Sequence, residues 1–335
     1  MIPENLQKEA KAIVELLKKS NRILITSHLR PDGDAIGSVS GMMKSLEKFG
    51  KSVDVNLLDG VPARFPFVWP REHSILQQAN IKSDHDLIIV LDCGDNERHG
   101  IYFDYEKSKT TLINIDHHAS NIMFGDVNYV DTGAQATCEI VTALLDMGNM
   151  PIDEDVAESL MLGIMTDSRN FANEGIRYTT HTATARLLKT GLNTSRILNT
   201  LNCSRSETDL RLQGYGLANF KLECDGHLAT LVLSQKDLKK FNAGVGNVFG
   251  SGIFNLPLTI SSVTACVVIF EREDGVSACE FRSRGGINVK EVAVALGGGG
   301  HLPASGCSQQ IPLEEMANKA IDLMKKQVTA FYKKQ

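Results

Sequence analysis

The sequence predicts an α/β fold in two parts. The N-terminal part is a doubly wound, mainly parallel sheet, and the C-terminal part is a smaller α+β domain. Three observations carry this expectation. Short apolar runs at residues 23–25, 86–92 and 111–118 each end in a loop rich in Asp, His and Gly. These runs alternate with segments of helical period, the pattern of parallel βαβ units. After the polar run 202–209 the pattern changes to alternating strand-like stretches, and 335 residues leave room for a second core.

In chain order, Leu6, Ala10, Ile13, Val14 and Leu17 recur at helical spacing, so residues 4–19 are an amphipathic helix. The run 23–25 is a buried strand. Pro31 biases Arg30 away from helix, and Gly33 is expected to permit a turn that other residues resist. A helix over 35–49 follows, with Gly50 placed for a left-handed cap. Strands are expected at 53–57, 86–92 and 111–118, then helices at 136–147, stopped by Gly148, and at 152–165. Helices at 180–190 and 194–201 close the first part. The predicted domains are 1–202, 203–222, a linker region with a helix from 210 to 221, and 223–335. The last contains strands at 227–233, 264–270 and 276–283, a helix at 289–296, a glycine interruption running into His301, and a closing helix at 316–331. The segment 244–252, with four glycines, is expected to be a flexible surface loop.

A hydrophobic content of 42%, a charged content of 22% and a net charge of −5 argue against a broad basic surface for long nucleic acid. They do not argue against small phosphorylated ligands. Seven cysteines without a Cys-x-x-Cys pair point to a reduced, cytoplasmic compartment. The N-terminus lacks an apolar leader, and the most apolar stretch, 253–270, is too interrupted to span a membrane.

The chemistry-bearing residues collect at the ends of predicted elements. His28, Asp32 and Asp34 follow the first strand, Asp92 the third, Asp116, His117 and His118 the fourth, and Asp167 ends a helix. Open α/β sheets bind ligands beyond the carboxyl ends of their strands, so these residues converge. An isolated Pro-Asp-Gly-Asp is a plain turn, and an isolated His is a packed imidazole. Four such groups together suit a two-cation site, which activates a bridging hydroxide and clamps both oxygens of an in-line displacement at phosphorus. The mixed nitrogen and oxygen donors favour Mn²⁺ over a thiolate site or an all-oxygen cage.

With these residues in view, the chain resembles the DHH phosphoesterase superfamily. His28-x-x-x-Asp32-Gly-Asp34, Asp92-Cys-Gly, Asp116-His117-His118 and Thr166-Asp167-Ser168 look like its four motifs. Arg282-Ser283-Arg284 and the run through Gly299 and Gly300 to His301, with Ala304 and Gly306, resemble its DHHA1 substrate domain. The length and domain pair are similar to the NrnA-type oligoribonuclease and pAp phosphatase subgroup. The resemblance implies two divalent ions, with Mn²⁺ expected. His28, Asp32 and Asp92 would hold one, and Asp34, Asp92, His117 and Asp167 the other. Asp116 would orient His117, and His118 would face the substrate phosphate as donor or acid. Arg282, Ser283, Gly299, Gly300 and His301 would bind substrate. The chain departs from the family pattern at Asn288 and Pro303, beside the implied nucleotide site.

The function expected is hydrolysis of short oligoribonucleotides, linear pApA or 3′-phosphoadenosine 5′-phosphate. Partners are short nucleotides, with no long duplex and no membrane, and self-association as a homodimer stays open. The competing activities are cyclic di-AMP phosphodiesterase and exopolyphosphatase or pyrophosphatase. A nucleotide sensor on the same fold is the non-enzymatic alternative, disfavoured because every metal-motif residue is present. Neither an OB-fold stretch nor a basic surface supports a RecJ-type exonuclease on long DNA.

Overall fold

The structure, a computed structural model, describes all residues except 1, 63, 71–72, 78–79, 82–83, 97, 99–109, 204 and 334–335. The chain forms two compact units, Met1–Cys203 and Ser204–Gln335. Among the described residues no helix is long and apolar enough to cross a membrane.

In the first unit a short 3₁₀ turn, Glu4–Leu6, leads into helix α1 (Gln7–Lys19). Strands β1 (Arg22–Thr26), β2 (Ser52–Asn56), β3 (Leu87–Leu91), β4 (Thr111–Asp116) and β5 (Val127–Val130) form a parallel sheet in the order β2-β1-β3-β4-β5. The strand order reverses at β1, so the loops after β1 and β3 lie side by side at a topological switch point. Ile89 and Leu91 of β3 face the main core, while Ile88 and Val90 join a smaller cluster with Leu24 and Leu112. Burial on both faces explains the unbroken apolar run of this strand. The short strand β5 had no clear signal in the sequence, because only Tyr129 of its four residues is buried.

Helix α2 (Gly33–Lys48) carries Asp34 and helix α4 (Glu154–Asp167) ends on Asp167, while helix α3 (Thr137–Met147) begins against Asp34. The α2–α4 contact is a glycine seam. A Cβ on Gly37 would lie 2.5 Å from Ser159 O, and one on Gly41 would lie 2.6 Å from Leu160 Cδ2. A Cβ on Gly33 would run into Thr166. The helices run in opposite senses, so this seam brings the start of α2 against the end of α4. Gly33 is therefore required for close approach. It begins α2 rather than supplying a turn other residues resist, which corrects the sequence expectation. Helices α5 (Tyr178–Leu188) and α6 (Thr194–Asn202) complete the unit.

The second unit starts with α7 (Glu207–Asn219), opened by a Ser206–Asp209 capping box. It begins earlier than expected and ends before Lys221, which enters strand β6 (Lys221–Glu223). A mixed six-stranded sheet follows in the order β10-β11-β9-β8-β7-β6. Its other strands are β7 (Leu228–Leu233), β8 (Ala265–Glu271), β9 (Ser277–Ser283), β10 (Gly299–His301) and β11 (Ala304–Gln309). One face packs α10 (Val289–Ala295) and α11 (Leu313–Tyr332), and the other packs α7 and the helix α8 (Gln235–Lys239).

Two expectations change here. The glycine-rich segment 244–252 is not a loop but contains a helical turn, α9 (Val245–Gly250). Gly244 N–H donates to Asn247 Oδ1, Val248 is fully buried, and Gly250 lies against the Asp209 carboxylate. The glycine run before His301 does not merely interrupt the chain, because Gly299–His301 pairs with β11 as an edge strand.

Candidate metal centre

Each ligand is placed by local chemistry. Ser27 Oγ, just after β1, donates to Leu91 O at 2.7 Å and ties the first motif loop to the second, at the end of β3. Asp32 caps α2, its Oδ1 accepting from Asp34 N–H and Ala35 N–H at 3.0 and 3.1 Å. Asp34, fully buried, accepts from Thr137 N–H at 2.5 Å and Cys138 N–H at 2.9 Å. It thereby caps α3, whose own N-cap residue Ala136 makes no side-chain bond. Asp92 sits in the left-handed region at φ 55, a conformation Asp adopts more readily than most residues. Its carboxylate accepts from Thr137 Oγ1 at 3.0 Å.

The imidazoles close the cluster. His28 Nε2 lies 3.6 Å from Asp92 Oδ2 and 3.9 Å from Asp32 Oδ1. His117 Nε2 lies 3.3 Å from Asp167 Oδ2, 3.6 Å from Asp92 Oδ1 and 3.9 Å from Asp34 Oδ2. Its Nδ1 lies 3.3 Å from Ala134 O, so the peptide carbonyl, not Asp116, sets this ring. Asp116 instead accepts the backbone N–H of His117 at 2.8 Å and holds His118 Nδ1 at 2.7 Å. That reassigns the support role expected for Asp116.

Three groups therefore offer donor atoms within 4.8 Å of one another: His28, Asp32 and Asp92; Asp34, His117 and Asp167; and Asp92, His117 and His118. Asp92 and His117 each belong to two of them. His118 joins the third group, although sequence reasoning assigned it only to substrate.

The electrostatics test whether a cation fits. Burial and the neighbouring Asp92, Asp167 and Asp32 carboxylates push Asp34 well up, and burial with Asp32 and Asp92 pushes Asp167 up to about 8. Burial opposes ionisation of Asp92, but the facing His28, His117 and His118 hold it below the usual carboxylate range. Asp116 raises His118 to about 9. Nε2 of His117 is buried and, among the described residues, has no hydrogen-bond partner. Crowded carboxylates and a buried imidazole nitrogen aimed at three of them fit a bound divalent cation of mixed nitrogen and oxygen preference. Sequence reasoning missed Thr137 and Ala134, whose roles depend on contacts far away in the chain.

In the second unit, Arg282 Nη1 donates to Glu280 Oε2 and Phe281 O, each at 2.9 Å, and the guanidinium lies 5.6 Å from the Phe254 ring centroid. Ser283 is buried and its hydroxyl donates to Ile287 O, so it serves the fold. Gly299 faces open space, Gly300 has φ 135, and His301 is exposed beside them. Asn288 begins α10 and donates to Glu291, while Pro303 O accepts from Ser283 N–H.

Residues 22–164 match the DHH family, N-terminal domain, and residues 248–330 match the DHHA1 domain. The chain is 28% identical over 325 residues to the bifunctional oligoribonuclease and PAP phosphatase NrnA of Thermus thermophilus, covering 95% of this chain and 94% of that one. An exopolyphosphatase-related protein from Bacteroides fragilis superposes with a TM-score of 0.87 at 26% identity, covering 98% of both chains. RecJ of Thermus thermophilus, solved with Mn²⁺, shares the fold at a TM-score of 0.55 and 14% identity, over 100% of this chain and 55% of its own. With both domains matched in order and relatives spanning nearly its full length, the chain belongs to the DHH–DHHA1 phosphoesterases, in their NrnA-type subgroup.

Proposed function

We propose that this chain is a Mn²⁺-dependent hydrolase of short oligoribonucleotides, linear pApA and 3′-phosphoadenosine 5′-phosphate. The observation that carries the reading is the sharing of Asp92 and His117 between donor groups. In a chain similar over 95% of its length to an oligoribonuclease and PAP phosphatase, sharing supports a pair of cations rather than one. His28, Asp32 and Asp92 would hold one, and Asp34, His117 and Asp167, with Asp92, the other. When bound, such cations stabilise charge developing on phosphoryl oxygens and acidify water.

The chain's own residues supply the rest. Asp116 fixes Nδ1 of His118, which leaves Nε2 of a half-exposed ring free to donate. With its pKa raised to about 9, His118 keeps its proton at neutral pH and can hand it to a departing ribose oxygen. Asp34 and Asp116, fully buried and each held by several hydrogen bonds, keep the ligand frame rigid before substrate arrives. Arg282 and His301 are the proposed nucleotide contacts of the second unit. The test is one panel with Mn²⁺: pAp, pApA, an RNA trimer, cyclic di-AMP, pyrophosphate and polyphosphate. Turnover of the first three is expected. Turnover confined to pyrophosphate or polyphosphate would overturn the reading.

A further inference from the structure

We infer that Thr137 is the positioning residue that fixes the two halves of the metal centre relative to each other. The inference rests on the two-cation reading above. Thr137 is fully buried and is the first residue of α3. Its N–H donates to Asp34 Oδ2 at 2.5 Å, and its Oγ1 donates to Asp92 Oδ1 at 3.0 Å. Asp34 belongs to the donor group with His117 and Asp167, and Asp92 to the group with His28 and Asp32. One residue thus ties a ligand of each group to the same point of backbone.

Asp92 needs such a restraint. Its backbone is in the left-handed region, a conformation that costs a non-glycine residue on the order of 1 kcal/mol and persists only when the surroundings enforce it. His28, His117 and His118 approach its carboxylate only to 3.6, 3.6 and 3.7 Å, beyond hydrogen-bond range. Among the described residues, the Thr137 hydroxyl makes the close hydrogen bond to this carboxylate. It holds Oδ1 on the His117 side and leaves Oδ2 toward His28. A carboxylate free to rotate could not present one oxygen to each side. The adjoining turn reinforces the arrangement: Ala134 O receives His117 Nδ1, and Cys138 N–H takes the other oxygen of Asp34. Glu139 anchors the same turn by accepting from Gln135 N–H, Thr179 Oγ1 and Thr180 Oγ1.

The experiment titrates Mn²⁺ into metal-stripped full-length protein, reading free Mn²⁺ by its electron paramagnetic resonance signal. Wild type, Thr137→Ser, Thr137→Val and Thr137→Ala are compared. Wild type and Thr137→Ser are expected to bind two ions alike. Thr137→Val and Thr137→Ala, which keep the backbone N–H to Asp34, should lose about 10- to 100-fold in affinity for at least one ion, the usual effect of removing a group that orients a ligand. If Thr137→Val does not fold, the Ser and Ala variants carry the comparison. Wild-type affinity in Thr137→Ala or Thr137→Val overturns the inference. So does a Thr137→Ser variant as weak as Thr137→Ala, because the methyl group would then be what matters. A wild type that binds two Mn²⁺ but cleaves none of the proposed substrates overturns the proposed function alone. The Thr137 comparison is read on binding and stands apart from that result.

Discussion

His118 Nδ1 lies 2.7 Å from Asp116 Oδ1, and this contact, rather than one to the neighbouring His117 ring, is what Asp116 contributes as a side-chain partner. The buried carboxylate is itself held by Asn121 Nδ2 at 2.7 Å and by the backbone N–H of His117. Asp116 therefore stays ionised and keeps a proton on the ring beside it.

A pH profile reads this pair. His118, raised to about 9, retains its proton through neutral pH and loses it as pH rises through that value. The turnover number of wild type should fall on an alkaline limb that lies above the ordinary imidazole range, because the Asp116 bond persists when cations neutralise Asp92 and Asp167. Asp116→Asn removes the largest cause of the raised value, so the limb should move to lower pH by about a unit or more. An unmoved limb would take His118 out of proton transfer.

Metal removal should make stability fall as pH rises. An unfolded Asp releases its proton near pH 4, whereas Asp167 in the metal-free fold holds it to about 8. The proton-linked stabilisation is complete below about pH 4 and is lost as pH climbs through that window. In chelator, the Tm of wild type should drop relative to Asp167→Asn between pH 5 and 8, and added Mn²⁺ should restore it. A wild-type Tm that tracks Asp167→Asn across this range would mean Asp167 does not carry the crowding.

Asp92→Asn should abolish turnover of every substrate and lower bound metal, because one residue serves two donor groups. Asn is chosen because, like Asp, it tolerates the left-handed backbone, so a folding defect is not expected. Losing one oxyanion donor typically costs about 10²–10³ in rate, and a shared ligand should cost more. Elemental analysis on the same preparation supplies the metal count, and turnover near wild type would end the assignment.

Gly163→Ala separates helix propensity from packing. In an exposed helix the change would stabilise by about 1 kcal/mol. Here the new methyl would meet Asp34 Oδ1 at 2.5 Å and clash with Cys138 Sγ, so overpacking of about 1–3 kcal/mol should win. A lower Tm together with weaker Mn²⁺ binding is expected. A raised Tm with unchanged binding would show that the seam has slack.

Four of the ligand-bearing ends were legible in the sequence because each follows a short apolar run or closes a helix, and parallel sheets gather such ends on one edge. The ligand frame was less legible. Thr137 sits 103 positions from Asp34 and 45 from Asp92, and nothing in its neighbours signals either bond. Gly33, Gly37 and Gly41 repeat at helical spacing, yet only their closeness to Thr166, Ser159 and Leu160 reveals a seam. Spacing pairs Asp116 with either imidazole, because the His117 and His118 rings lie only 4.6 Å apart, and side-chain rotamers decide that His118 takes the bond. The helical turn within 244–252 was hidden because its anchors, Val248 and the Asp209 carboxylate, act through tertiary packing that outweighs four glycines.

His301 gives the cleanest test of nucleotide recognition by the second unit. Arg282 is a compromised probe, because its removal strands the half-buried Glu280, whose carboxyl burial already pushes up. Arg282→Ala should therefore lose stability by about 1–3 kcal/mol as well as any binding. His301 is exposed on an edge strand and no side-chain bond of its ring holds the fold among the described residues, so His301→Ala should keep the wild-type Tm. If its imidazole holds a phosphate or base, KM for pAp should rise by one or two orders of magnitude, about 1.4 to 3 kcal/mol of binding. Metal content should not change. Bis-p-nitrophenyl phosphate, too small to need that contact, should be hydrolysed at close to the wild-type rate, since it draws no remote binding energy. Equal losses on both substrates would place His301 in the chemical step. No loss on either would remove it from the nucleotide site, and the glycines before it would be left with the structural role of forming an edge strand whose Gly300 backbone only glycine adopts readily.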